Sequence, residues 1–188
     1  MKHKHLLIIG SGGLGREVLA TLRHTNYISK YTDVGFIDNT SGNVKDVKTV
    51  GDNEYIRNLA ISTDVIIAVG KAAIRRKIID EFKNMENINF PTFIHPKASI
   101  YDKDSIQIGK GCYIGESSIL TTDITIEDYC FINSNVSIHH DSILRENCVV
   151  MPGVRITGGA EIGKDSRLGP NVAISKKVLI PSKSNIEI

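Results

Sequence analysis

Ile108-Gly109-Lys110-Gly111-Cys112-Tyr113-Ile114-Gly115-Glu116-Ser117-Ser118-Ile119-Leu120 opens a run in which every sixth residue is aliphatic. Ile108, Ile114, Leu120, Ile126, Ile132, Ile138, Leu144, Val150, Ile156, Ile162, Leu168, Ile174 and Ile180 keep the beat over thirteen positions with no insertion or deletion. Four residues after each beat stands a small or β-branched residue, among them Cys112, Ser118, Cys130, Val136, Ser142, Cys148, Val154, Ala160, Ser166 and Val172. A helix would repeat at about 3.6 residues, and a sandwich would show irregular strands about 8 to 12 residues apart. A fixed short period is instead the mark of a parallel β-helix in which each hexad forms one flat side, so that about 18 residues complete a coil. Gly109, Gly115, Gly163 and Gly169 directly follow their aliphatic residues and are expected to serve the strained corners of that coil.

The three cysteines follow the same arithmetic, since Cys112, Cys130 and Cys148 are each 18 residues apart. They should stack about 4.8 Å apart inside the coil, as buried small hydrophobes with poor geometry for disulfides. Neither cysteines nor histidines show metal-ligand spacing, and no metal is expected. With 188 residues, 41% hydrophobic content and a formal charge of +2, the chain can bury a core and carries no basic excess that would imply nucleic acid. Leu6 to Ile9 is too short for a membrane span or a signal segment, so a soluble, cytoplasmic protein is expected.

The N-terminal half reads differently. Leu6-Leu7-Ile8-Ile9 is a buried strand, Gly10-Ser11-Gly12-Gly13-Leu14-Gly15 a G-x-G-x-x-G turn, and Arg16 to Arg23 a helix with Val18, Leu19 and Leu22 on one face. In that context the turn exposes backbone N–H groups at a helix N-terminus, where a phosphate can bind. Gly35 to Asn39 is a second strand with Asp38 at its carboxyl end, the position of a ribose or base acceptor. Gly42 to Lys48 reads as a polar loop, Asp52 as the cap of a short helix through Leu59, and Asp64 to Gly70 as a third strand. Ala72 to Phe82 is a helix, and Asn89 to Ile94 a last short strand made irregular by Pro91. The change of pattern suggests two domains, a Rossmann-like nucleotide-binding lobe over 1–92 and a β-helix over 93–188. So small a lobe suits a mononucleotide-sized ligand.

The hexad run resembles the left-handed β-helix of the hexapeptide-repeat acyltransferases. Joined to a lobe opening Ile-Ile-Gly-x-Gly-Gly-x-Gly-Arg-Glu-Val, it is similar to the bacterial sugar acetyltransferases that include sialic acid O-acetyltransferases and UDP-bacillosamine N-acetyltransferases. The resemblance implies an α/β lobe followed by an all-β left-handed helix, assembled as a homotrimer and using acetyl-CoA on a nucleotide-linked amino sugar for surface glycan biosynthesis. Within Ile138-His139-His140-Asp141-Ser142-Ile143 it places the general base on His140 and its orienting carboxylate on Asp141, with His139 at a corner. Imidazole suits the task because it is largely neutral near pH 7. A backbone N–H of the coil would meet the developing oxyanion. The same resemblance puts acetyl-CoA contacts at Val149, Gly158 and Pro170, and nucleotide-sugar contacts at Gly10, Ser11, Gly12, Gly13, Leu14, Gly15, Asp38, Asn39 and Gly70. Relatives often carry histidine where Val149 and Leu14 stand here.

Other functions satisfy some of these residues. A sialic acid O-acetyltransferase makes the same demand on His140. A non-catalytic nucleotide-sugar-binding trimer would follow if the polar stretch Ser182 to Glu187 ends the coils short of a full cofactor groove. An NAD-linked oxidoreductase would explain Gly10 to Gly15 and Asp38 but not the hexads.

Overall fold

The structure is a computed structural model that describes residues 4–40, 42–44 and 46–187, so that Lys45 and Ile188 lie outside it. The chain divides into two compact units: the residues up to Gly70 with Ile78–Pro91, and Lys71–Lys77 with the chain from Thr92 on.

In the first unit, β1 (His5–Ile9), β2 (Asp33–Ile37), β4 (Val47–Gly51), β5 (Thr63–Ile67) and β6 (Ile88–Asn89) form a parallel sheet, and β3 (Asn43–Val44) pairs antiparallel at the edge beside β4. The order β3-β4-β2-β1-β5-β6 keeps the apolar β1 and β5 central, with Leu6, Ile8 and Val65 at most 1% exposed. Helix α1 (Gly13–His24) buries Gly15, Val18, Leu19 and Leu22. It starts three residues earlier than the apolar periodicity alone suggests, so Gly13 and Gly15 are helical and the turn shrinks to Gly10–Gly12. The expected loop from Gly42 to Lys48 is instead an antiparallel hairpin. Its polar alternation hid the strands, while Val44 opposite Val47 shows them. Asp52 caps the short α2 (Asn53–Arg57), accepting from the Glu54 N–H at 2.9 Å.

The second unit is a left-handed parallel β-helix of two-residue strands in three sheets. One side stacks Phe93, Tyr113, Phe131, Val149, Arg167 and Asn185 in register. The second stacks Ser99, Ile119, Ser137, Arg155 and Ala173, and the third Gln107, Thr125, Ile143, Glu161 and Leu179. Ile94 pairs with Ile114 and Ile100 with Leu120, each 20 residues on, whereas Ile108 pairs with Ile126, 18 on. Two extra residues between Ile100 and Ile108 therefore interrupt the beat, and the coil starts before the strict period does. Asn89 to Ile94 is not one strand: Ile88–Asn89 joins the lobe's sheet and Phe93–Ile94 the coil's, on either side of Pro91. At the other end the expected polar tail continues the coil, because Ile186 pairs with Leu168 and packs against the interior.

The interior column holds the aliphatic beat and the small residues, with Leu120, Ile138, Cys148, Leu168 and their neighbours buried. The cysteine thiols are free and donate to carbonyls of the next coil, Cys112 Sγ to Glu127 O at 3.2 Å and Cys130 Sγ to Arg145 O at 3.2 Å. The corners differ from expectation. Every sixth residue from Gly111 to Lys183 has φ between 51° and 75°, and most of these are not glycine. Burying each Leu or Ile contributes about 1.5–3 kcal/mol, which outweighs the roughly 1–2 kcal/mol of a left-handed corner. Gly109, Gly115, Gly163 and Gly169 lie two residues before those corners, and they are glycine for want of space. A Cβ on Gly115 would come within 2.7 Å of Asn133 C and Ser134 N, and one on Gly163 within 2.4 Å of Ser182 N.

Lys71–Lys77, the opening of α3 (Ala72–Phe82), group with the coil although they precede its sequence pattern. The fully buried Arg75 explains this. Its Nε donates to Asn147 Oδ1 at 3.1 Å, its second terminal nitrogen to Tyr129 O at 2.7 Å, and its guanidinium lies 5.5 Å from the Phe131 ring centre. Burial pushes its pKa down to about 10. Arg76 Nε meets Asp165 at 2.8 Å and its Nη1 meets Glu146 at 2.9 Å.

Candidate active site

The lobe offers one group of functional residues. Gly10 turns the chain at φ 102°, a conformation that favours glycine, and its N–H donates to Ile37 O at 2.8 Å. A Cβ on Gly10 would meet Ala68 O at 2.7 Å, and one on Gly15 would meet Gly10 O at 1.9 Å, so strand, turn and helix close only with glycine at both positions. Gly12 and Gly13 are exposed, and a Cβ on Gly12 would find open space. The first N–H groups of α1 lack intrahelical acceptors and can therefore receive an anion.

Asp38 is tied to this loop in a way the motif alone does not reveal. Its Oδ2 accepts from both the N–H and the hydroxyl of Ser11 at 2.8 Å, and its Oδ1 accepts from the Thr40 N–H at 3.2 Å and hydroxyl at 3.1 Å. Burial works to raise the carboxyl's pKa, but these donors prevail and hold it below its ordinary value. Asp38 thus fixes the loop as well as facing it. Asn39 is exposed beside it, and Gly70 lies near Leu14, whose Cδ2 would be 3.8 Å from a Cβ at that glycine. The sheet brings all of these positions to the carboxyl ends of β1, β2 and β5, where open α/β sheets bind ligands.

The coil carries the second group. His140 and Asp141 are exposed at a corner, with side chains 51% and 66% accessible. The imidazole Nδ1 lies 2.7 Å from Asp141 Oδ2. Asp141 is itself a left-handed corner residue at φ 61°, which turns its carboxylate back onto the preceding histidine. His139 is exposed, and its N–H serves the sheet by donating to Ile156 O at 3.0 Å. One coil further, Gly158 is buried against the His140 ring, and Gly159 N–H donates to His140 O at 2.8 Å. The 18-residue coil makes this pairing readable in the sequence, since 158 is 140 plus one coil.

The residues assigned to acetyl-CoA separate. Pro170 is exposed and Gly158 abuts the imidazole, but Val149 has no accessible surface. Val149 continues the Phe93, Tyr113, Phe131 ladder, where the side of the coil is buried. Among the described residues no group of histidine, cysteine and carboxylate side chains could hold a metal, and no helix is long and apolar enough to cross a membrane.

Comparison with known proteins fits both halves. Residues 5–82 match the PglD N-terminal domain, and residues 141–176 match the bacterial transferase hexapeptide of six repeats. The acetyltransferase domain of PglB from Neisseria gonorrhoeae, solved with acetyl coenzyme A, is 26% identical with a TM-score of 0.86, covering 97% of this chain and 87% of that one. A perosamine N-acetyltransferase from Caulobacter crescentus, solved with CoA and GDP-perosamine, shares the fold at 23% identity and a TM-score of 0.74, covering 97% of this chain and 88% of that one. Among curated relatives, the serine acetyltransferase of Buchnera aphidicola is 28% identical over 92 residues, 47% of this chain, which spans only 35% of that protein's length. Lobe and coil thus match one kind of enzyme over nearly the whole sequence, the hexapeptide-repeat sugar acetyltransferases.

Proposed function

We propose that the protein transfers acetyl from acetyl-CoA to the amino group of a nucleotide-linked sugar, with His140 as general base and Asp141 as its orienting partner. The observation that carries this reading is the 2.7 Å contact of His140 Nδ1 with Asp141 Oδ2 on an imidazole that is half exposed. With Nδ1 held by the carboxylate, Nε2 is free to accept a proton. The sugar amine attacks the thioester carbonyl and passes its proton to Nε2. The C–N bond forms, the C–S bond breaks, and His140 returns the proton to the departing CoA thiolate. No acyl-enzyme is needed, and the cysteines inside the coil take no part.

The loop Gly10–Gly15, with Asp38, Asn39 and Gly70, recognises the nucleotide end of the acceptor. The phosphates meet the N-terminus of α1, and the ribose or base lies toward Asp38. Pro170 and the backbone of Gly158 face acetyl-CoA. The working form is a homotrimer in the cytoplasm. Bound GDP-perosamine and acetyl-CoA in the two related structures support an amino-sugar nucleotide and this donor.

The test is an acceptor panel of nucleotide-linked amino sugars and free and activated sialic acids, assayed with acetyl-CoA beside titration calorimetry and light scattering. Acetylation of a nucleotide amino sugar by wild type, lost by at least about 100-fold in His140→Ala, is expected from the removal of a general base. Turnover only with sialic acid would make the protein an O-acetyltransferase. Nucleotide-sugar binding without acetyl-CoA binding would make it a binding module.

A further inference from the structure

We infer that Gly158 is a positioning residue for the acetyl-transfer base, because its missing side chain is what lets the His140 ring lie flat against the coil while Asp141 holds Nδ1. The inference rests on the proposed role of His140 and adds to any backbone contact Gly158 makes with the donor.

A Cβ placed on Gly158 would lie 2.4 Å from His140 Nε2, 2.5 Å from Cε1 and 2.9 Å from Cδ2. Such similar distances to Nε2 and to both of its ring neighbours put that Cβ over the face of the imidazole and not in line with the Nε2 lone pair. A methyl group at 158 would therefore occupy the space in which the ring lies while Asp141 holds Nδ1. The backbone does not explain this glycine. Gly159 beside it has φ 71° and belongs to the left-handed corners, whereas Gly158 is not among the residues of positive φ. The three atoms nearest to an added Cβ at 158 all belong to the imidazole. Because the His140 side chain is half exposed, the collision is relieved by rotating the ring outward, which breaks the 2.7 Å contact with Asp141. The added methyl thus unseats the base from its orienting carboxylate.

The experiment compares Gly158→Ala, His140→Ala, their double variant and Gly159→Asn in the full-length protein, using acetyl-CoA and the acceptor that wild type acetylates in the panel. Gly159→Asn places a residue that tolerates left-handed φ at the next position, where a Cβ meets Lys177 Cγ at 3.2 Å and not the ring, and controls for a side chain in this coil. Gly158→Ala should lower kcat at least about 100-fold, as loss of general base catalysis does, with the acetyl-CoA dissociation constant within about threefold. The His140 Hε1 resonance should move in Gly158→Ala and stay in place in Gly159→Asn. In the His140→Ala background the glycine substitution should change the residual rate less than about twofold, since the effects of coupled residues do not add. If Gly158→Ala melts early, the midpoint should recover in the double variant, where the ring it strikes is gone. Wild-type-like kcat in Gly158→Ala beside an inactive His140→Ala overturns the inference and leaves the base assignment standing. Weakened acetyl-CoA binding at unchanged kcat, or a melting loss that the double variant does not recover, overturns it equally. Full activity in His140→Ala overturns the base assignment itself.

Discussion

Asp141 Oδ2 lies 2.7 Å from Nδ1 of His140 because Asp141 is a left-handed corner residue, at φ 61°, that folds its side chain back over its predecessor. Fold and chemistry meet in this one residue. The corner would accept asparagine, which tolerates that conformation, without the charge. Asp141→Asn should therefore leave the thermal midpoint within about 2 °C of wild type, since less than about 1 kcal/mol is at stake. It should lower kcat by about 10- to 100-fold through loss of the orienting carboxylate. Steady-state kinetics beside a melting curve separates the two; an unchanged kcat would remove Asp141 from the mechanism.

The lobe allows a separate prediction. Asp38 receives four hydrogen bonds from Ser11 and Thr40, and their combined pull keeps its carboxyl ionised below its ordinary pKa despite partial burial. Asp38→Ala releases the Ser11 N–H and hydroxyl and frees the glycine turn. Losing these charge-assisted bonds at about 1.5–3 kcal/mol should raise KM for the nucleotide sugar by about 10- to 100-fold. The KM for acetyl-CoA and the kcat should stay within about threefold of wild type, because His140 is untouched. A proportional fall of kcat would mean that Asp38 acts in the chemistry.

Much of this architecture was legible because the aliphatic beat reports the coil interior directly. Any slip from six would turn Ile138 or Leu168 out of register, so the period carries the fold. The corners were legible only in part. Nine of the thirteen are Gly, Asn or Asp, which tolerate this φ, but Ser117, Tyr129, Lys177 and Lys183 adopt it too, and attention fell on Gly109 and Gly115, which answer to crowding. Short strands also misled: Asn89 and Phe93 look continuous in sequence, and only hydrogen bonding assigns them to different sheets. In the candidate site, the His140 and Asp141 pair could be read from hexad phase. Counting one coil forward reaches Gly158, but contact with the ring becomes visible only in three dimensions. That Val149 has no accessible surface could not be read either, because sequence phase tells inward from outward, not which outward side is covered.

A pH dependence follows from Glu146. Burial would raise its carboxyl pKa, but Arg76 at 2.9 Å and Lys164 at 2.8 Å outweigh burial and lower it. A carboxylate depressed on folding contributes its stability above the unfolded pKa, near 4.5, and loses it as pH falls through the lower folded value. Glu146→Gln should thus melt below wild type at pH 7 by about 1 kcal/mol. The two curves should draw together as pH falls below 4.5 and meet only once it has passed the lower folded value, where the Glu146 carboxyl is neutral in both states. Melting series from pH 3 to 8 check this, and a gap that stays constant across the series would refute the linkage.

The left-handed corners predict a stabilising change that follows from φ alone. Lys183 is exposed at φ 63°, and its N–H donates to Lys164 O at 2.7 Å, a bond that any residue but proline keeps. Lysine bears the left-handed cost of about 1–2 kcal/mol at such a position, part of which asparagine escapes. Lys183→Asn should therefore gain about 0.5–1 kcal/mol, raising the melting temperature by about 1–4 °C in a chain of this size. Lys176 is also exposed but is not a positive-φ residue, so Lys176→Asn removes the same charge without relieving any strain. Its melting temperature should match wild type within about 1 °C. If both variants melt alike, the gain belongs to charge rather than to the corner, and the strain argument fails for every lysine, serine and tyrosine in the series.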